Sequence, residues 1–150
     1  MNTRATLSQG EDLLHYIPQR PPIVMIDRLY ECDEKHVLTG FMPGEKNIFS
    51  SNGYFTEPGL IENMAQSAAA GTGYFFISNG KAVPVGFIGA IKDFKLTMLP
   101  RVNDLLETEI KVVAEVMNAS VIKAIVRTNG DEIASCEMKI FLLDTIPASA

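Results

Sequence analysis

At 150 residues the chain has room for one domain with a sizeable core, and 47% hydrophobic against 21% charged residues is ordinary for a globular protein. A formal net charge of −5 without any Lys/Arg cluster argues against a nucleic-acid partner. No apolar run reaches the ~18–20 residues needed to span a bilayer, and the first residues lack a signal-like apolar core, so a cytoplasmic protein with no membrane partner is expected.

In chain order, residues 1–10 are polar and expected to be a flexible N-terminus, with residues 11–150 forming a single domain. Leu13 to Ile17 predicts a short helix, halted by Pro18 and by the Pro21-Pro22 pair, which forces extended backbone. Ile23 to Tyr30 reads as a strand, Asp33-Glu34-Lys35 turns it, and His36 to Phe41 returns it. Residues 42–55 are loop-like, punctuated by Pro43-Gly44 and Ser51-Asn52-Gly53. A helix is predicted from about 58 to 77, capped by Asn79-Gly80. Strands follow over Val83–Leu96, Leu106–Val112, Ser120–Arg127 and Glu132–Leu143, with Thr128-Asn129-Gly130-Asp131 as a hairpin turn. One long helix among five or six mostly antiparallel strands is an α+β domain with the helix packed on a curved sheet. Cys32 and Cys136 both sit in strand-like runs, where they read as small core residues in a reducing compartment.

One stretch of the helix carries residue choices that look chemical. At about 100° per residue, Glu62, Ala65, Gln66, Ala69 and Gly73 share one narrow wedge. Small residues line a helix where another backbone comes close, so Ala65, Ala69 and Gly73 are expected near full burial. An acid on such a face is costly unless it is paired, protonated or used. The plainer reading is a solvated Glu62 on the helix's first turn, favoured by the dipole.

Four segments resemble a known family. Ile17-Pro18-Gln19-Arg20-Pro21-Pro22 with Met25-Ile26-Asp27-Arg28, then Pro58-Gly59 with Glu62-Asn63-Met64-Ala65-Gln66, resemble the opening and central helix of the hotdog-fold 3-hydroxyacyl-acyl carrier protein dehydratases. Phe94-Lys95 with Leu99-Pro100-Arg101-Val102-Asn103-Asp104, and the hairpin from Gly130 to Met138, continue the match in the same order. The resemblance implies a hotdog fold and a substrate held as a 3-hydroxyacyl thioester on the phosphopantetheine arm of an acyl carrier protein. In that family a His removes the C2 proton and the helix acid protonates the departing C3 hydroxyl, a role that falls on Glu62. The helix-entry Gly offers its N–H to the thioester oxygen, which by resemblance is Gly59; an orphan N–H at a helix start suits a developing enolate. Burial beside an apolar tunnel favours the protonated form of a carboxyl, as a general acid requires. Phe55, Leu60 and Phe94 are expected to line that tunnel, and Gln66 to fix the carboxyl or the tunnel wall.

The chain departs from the pattern at the base. Tyr54 stands where the catalytic His is expected, Gln19 replaces the opening His, and the loop before the helix is short, with Gly59 only three residues before Glu62. Tyr54 reads as an aromatic plug on the loop or as a proton donor or thioester hydrogen-bonder, because its ordinary pKa near 10 suits a base poorly. His15 and His36, the two histidines, are read as solvated, and Asp27 with Arg28 as a strand-end ion pair. This His-less version resembles a branch found with aryl-polyene and related pigment lipid pathways, where two unlike hotdog subunits pair. The sequence therefore predicts a dehydratase acting in fatty-acid or pigment-type lipid synthesis. The alternatives are a non-catalytic subunit pairing with a His-bearing paralogue, or a hotdog acyl thioesterase. A homodimer or heterodimer joined through the uncharged run Val83–Ile91 is expected. No metal or nucleotide motif is present and no cofactor is expected.

Overall fold

The computed structural model describes residues 4–143. Its centre is α1 (Glu57–Ser78), within one residue of the sequence expectation at each end. Thr56 precedes it in extended conformation, Pro58 sits in the first turn where its missing N–H costs nothing, and Asn79 follows the last turn.

A seven-stranded antiparallel sheet wraps α1. Its members are β1 (Ser8–Gln9), β2 (Arg28–Cys32), β3 (His36–Phe41), β6 (Val85–Leu96), β7 (Leu106–Val116), β8 (Ala119–Thr128) and β9 (Asp131–Leu143), in the order β1-β2-β3-β7-β8-β9-β6. A separate two-residue hairpin, β4 (Ser50–Ser51) with β5 (Tyr54–Phe55), interrupts the loop before the helix. The β8–β9 turn has Asn129 and Gly130 at φ 53° and 82°, the left-handed pair expected there. This is the α+β hotdog arrangement that the resemblance implies.

The helix and sheet meet through Leu60, Met64, Ala68 and Ala70 on α1 and Ile110, Ile122, Ala124, Val126 and Met138 on the sheet, all within the buried core. The fit is tight elsewhere along the helix too. A side chain on Gly73 would strike the carbonyl of Tyr16, so only glycine lets the N-terminal segment cross there.

Three expectations are corrected. Residues 8–10 are not a loose lead: Ser8 and Gln9 pair with Leu29 and Arg28, and a 3-10 helix (Gly10–His15) follows in place of the short helix expected over 13–17. The strand expected from Ile23 begins only at Arg28, because residues 23–25 are bonded by helix side chains instead of by a strand. His36 is not a freely solvated side chain but a partly exposed, paired one. It stands in β3 with Nε2 2.8 Å from Glu109, which also meets Arg127 at 3.1 Å. Arg28 and Asp27 do form the expected ion pair, at 2.5 Å.

Burial opposes the charge on Glu109, but hydrogen bonds from His36 and Arg127, with Lys111 nearby, outweigh it and hold its pKa below the usual carboxylate range. A depressed folded pKa stabilises the fold above the ordinary carboxylate value, and that stabilisation disappears as pH falls through the folded one. Glu109→Gln should therefore cost about 0.5–1 kcal/mol in urea denaturation at neutral pH, a difference that shrinks as pH falls below the ordinary carboxylate range. A difference independent of pH would show the carboxylate charge to be irrelevant.

Candidate active site

The carboxylate of Glu62 is half-buried on the second turn of α1 and accepts a hydrogen bond from Gln66 Nε2 at 2.8 Å, one turn further on. Gln66 is fully buried. The same Nε2 donates to Ile23 O at 2.8 Å, and its Oε1 accepts from Met25 N at 2.6 Å. The expected fixing of the carboxyl by Gln66 is thus realised in the geometry, with the amide itself locked by backbone that leaves it one orientation.

Beneath Gln66 lies a buried polar chain. Asn63 Nδ2 donates to Met25 O at 2.8 Å, and Thr108 Oγ1 donates to Asn63 Oδ1 at 2.5 Å. Ser67 Oγ donates to Asn63 O at 2.7 Å, which makes Thr39 the donor in its 2.6 Å bond to Ser67. Asn63, Ser67, Thr39 and Thr108 are all fully buried and all satisfied. Glu62 is therefore mounted on a helix whose rotation is fixed by paired buried donors and acceptors.

Glu62 opens onto a cavity of about 560 Å³, a size ordinary for a small-molecule site. One wall is the helix stripe Glu62, Ala65, Ala69 and Thr72; the other is the start of β6, Val85 to Ile88, with Ile140 and Leu142 of β9. The segment His15 to Gln19 closes the remaining side. Glu62 also borders a shallower depression of about 410 Å³ with Phe49, Pro58 and Ile61 at the helix start. It thus stands between an apolar groove and an open approach, not beside the tunnel of Phe55, Leu60 and Phe94 that the resemblance implies.

The small-residue stripe has the predicted facing but a different partner. Gly73 is buried under Tyr16, whereas Ala65 and Ala69 are only half-buried because they face the groove. Their missing bulk makes a concavity instead of a close backbone contact.

The other candidates do not gather around Glu62. Phe55 and Leu60 are fully buried core residues, with the Phe55 ring 5.6 Å from that of Phe41, so they support the helix start and line neither cavity. Phe94 packs against the core from β6 and is likewise outside both. Gly59 is buried, and a side chain there would strike the Phe55 ring and Phe49; it too lines neither cavity. Tyr54 is 37% exposed and lies under the Arg101 guanidinium, 5.3 Å from its ring centroid, bridged to Arg101 through the backbone. A histidine at position 54 would stand beside Arg101, away from the groove.

Neither histidine supplies a base beside Glu62. His36 is engaged with Glu109. His15 lines the groove, but its neighbour Tyr16 crosses the helix at Gly73, about 16 Å along the axis from Glu62 at 1.5 Å per residue. Acid and base acting on adjacent carbons must lie far closer than that. The two thiols are not nucleophiles either: burial, joined by Asp33 for Cys32, pushes both Cys32 and Cys136 up to about 11.

Sequence reasoning missed the groove wall formed by β6 and β9 and the part played by residues 15–19. The one local clue was the Ala-rich stripe.

The model of the ApeP-like family, described as ApeP dehydratase, matches residues 11–148. The chain is 28% identical over 134 residues to the 3-hydroxyacyl-[acyl-carrier-protein] dehydratase FabZ of Clostridium novyi, covering 85% of this chain and 92% of that one. Among solved structures it is similar to the dehydratase heterocomplex ApeI:P from Xenorhabdus doucetiae, with a TM-score of 0.74 at 13% identity over 87% of this chain and 90% of that one. A hypothetical thioesterase with coenzyme A from Streptococcus pneumoniae gives a TM-score of 0.64 at 13% identity, over 78% and 88%. At such identities the two structures speak for the fold alone.

Because Ala69 faces the groove, Ala69→Leu should fill open space and leave stability within about 0.5 kcal/mol of the wild type. The same change should abolish binding of an apolar fluorescent probe to the groove. A loss of about 1–3 kcal/mol in denaturation would instead mean that Ala69 packs against protein.

Proposed function

We propose a role in the dehydration of 3-hydroxyacyl thioesters carried on acyl carrier protein for this chain, which belongs to the ApeP-like dehydratase family. The observation that carries the reading is Glu62, oriented by the buried Gln66 and opening onto an apolar groove. In the reaction a base takes the C2 proton, the electron pair forms the C2=C3 bond, and Glu62 gives its proton to the C3 oxygen, which leaves as water. The acyl chain lies along the Ala65–Ala69 wall, and the phosphopantetheine arm arrives over the depression at the helix start.

The base comes from a second subunit. Neither histidine of this chain can act beside Glu62, and Tyr54 lies elsewhere. The strand β6 offers a place for that subunit: it is the sheet's edge, and Val85, Phe87, Ile88 and Ile91 are 39–49% exposed with no charge among residues 85–91. An uncharged, unpaired edge of this kind invites another strand, so pairing with a second hotdog protein extends the sheet across the interface. The heterocomplex named for ApeI:P is in keeping with unlike subunits. The two free cysteines suit a reducing compartment, the cytoplasm.

The test is reconstitution. Alone, the protein should dehydrate a 3-hydroxyacyl carrier thioester weakly; adding a His-bearing hotdog subunit should raise the rate by about 10²–10⁴-fold, the usual contribution of a positioned base. Release of free thiol without enoyl product would support the thioesterase instead, and a failure of every such partner to accelerate dehydration would remove the shared-site reading.

A further inference from the structure

We infer that the groove selects its acyl chain by length: Thr72 on α1 and Gly86 on β6 mark its far end and limit the chain to about ten to twelve carbons beyond C3. Counting from C3 at Glu62 rests on the dehydratase reading above. From Glu62 the small-residue stripe runs through Ala65 and Ala69 to Thr72, and among the described residues Thr72 is the last of α1 to line the groove. Between positions 62 and 72 the helix rises about 15 Å, at about 1.5 Å per residue. Ala65, Ala69 and Thr72 are half-buried and Gly86 is exposed, so a ligand can reach each of them.

Beyond Thr72 the chain itself stops the groove. The Tyr16 carbonyl occupies the space that a side chain on Gly73 would need, and the Tyr16 ring packs on that of Tyr74 at 5.2 Å. Tyr16 also lines the groove, so the N-terminal segment crosses the helix as an end wall. The opposite wall ends at the same level. From Val85, β6 runs back along α1, and by Pro100 the chain has reached the helix start, where the Pro100 carbonyl accepts from Phe55 N at 2.9 Å. The first residues of β6 therefore stand near Thr72 and Tyr16. Gly86 pairs with Leu142, and both line the groove. A side chain on Gly86 would first meet Leu142 Cδ2 at 3.1 Å, the movable tip of a flexible side chain, so the position accepts bulk. Glycine there leaves the groove open to its end.

The physics of the chain converts that distance into carbons. An extended alkyl chain, with C–C bonds of about 1.52 Å at about 111°, advances about 1.25 Å per carbon, so about 15 Å holds about ten to twelve once the bulk of the end wall is allowed for. Each methylene that enters the groove leaves water and strengthens binding, by about two- to fourfold on a wall open along one side. A methylene that cannot pass Tyr16 stays in water and adds nothing. Selection by length then needs no polar contact, because it follows from where the apolar wall ends.

A series of straight-chain acyl pantetheines, lengthened stepwise and with nitrogen in place of the thioester sulfur, tests the assignment by equilibrium binding to the protein, alone and in the reconstituted complex. Affinity for the wild type should rise about two- to fourfold per carbon and level off about ten to twelve carbons beyond C3. Thr72→Leu and Gly86→Val, which fill the far end from opposite walls, should each bring the levelling forward by about two to three carbons. Ala69→Leu, nearly one helical turn closer to Glu62, should bring it forward by about three more. A breakpoint that follows the position of the added bulk is a readout that a merely destabilised fold would not give. A rise that runs on past the expected length, or variants that weaken every ligand alike, overturns the assignment even if dehydration is confirmed. Breakpoints that move as stated in a complex that never forms enoyl product support the assignment and remove the dehydratase reading alone.

Discussion

Asn63 and Gln66 do for the segment Ile23–Met25 what a neighbouring strand does elsewhere. That segment runs against α1 with Met25 fully buried, so its backbone polar groups must be satisfied from within. Gln66 takes Met25 N and gives to Ile23 O, and Asn63 gives to Met25 O. Removing either amide would strand buried donors and acceptors on both sides, at about 1–3 kcal/mol for each orphaned group. The amides also fix where the preceding segment, residues 15–19, crosses the helix, and hence the third side of the groove. The last free hydrogen of Gln66 then falls to Glu62. Fold and site depend on the same two side chains.

The groove follows from what surrounds that clamp. The helix needs to approach its neighbours closely at Gly73 and on the core side at Met64 and Ala68, and it does so with small or flexible residues. At Ala65 and Ala69 small residues face β6 across a gap, and the gap is the cavity. A single acid at one end of such a cavity can donate a proton to a leaving hydroxyl. It cannot also remove the neighbouring C–H proton at the same moment, so the chain's lack of a nearby histidine directs attention to the open edge of β6.

Local signals made the helix and the last hairpin legible: Pro58 and the Ala-rich run for one, Asn129-Gly130 for the other. The return strand His36–Phe41 was legible from its turn and composition. The segment at Ile23 was not, because its β-rich composition says nothing of whether its backbone is bonded by a strand or by amide side chains. Phe55 and Leu60 were read as tunnel wall and are core, since apolar character alone does not say which side of a helix start is filled. Tyr54 was read as standing where the family's catalytic His is expected, but the β4–β5 hairpin redirects the chain toward Arg101. The Glu62–Gln66 pairing needed only helical spacing and was readable from the outset. The groove needed β6 and β9, residues distant in sequence, and no local pattern announces them.

The most direct test of the account is the dehydration rate of the reconstituted two-subunit complex carrying Glu62→Gln in this chain alone, with complex formation checked by sedimentation. If Glu62 is the proton donor, enoyl formation should fall by about 10²–10⁴-fold in an intact complex. An intact complex that dehydrates its substrate at the wild-type rate would contradict the account, placing the acid on the other subunit and leaving this chain a structural partner.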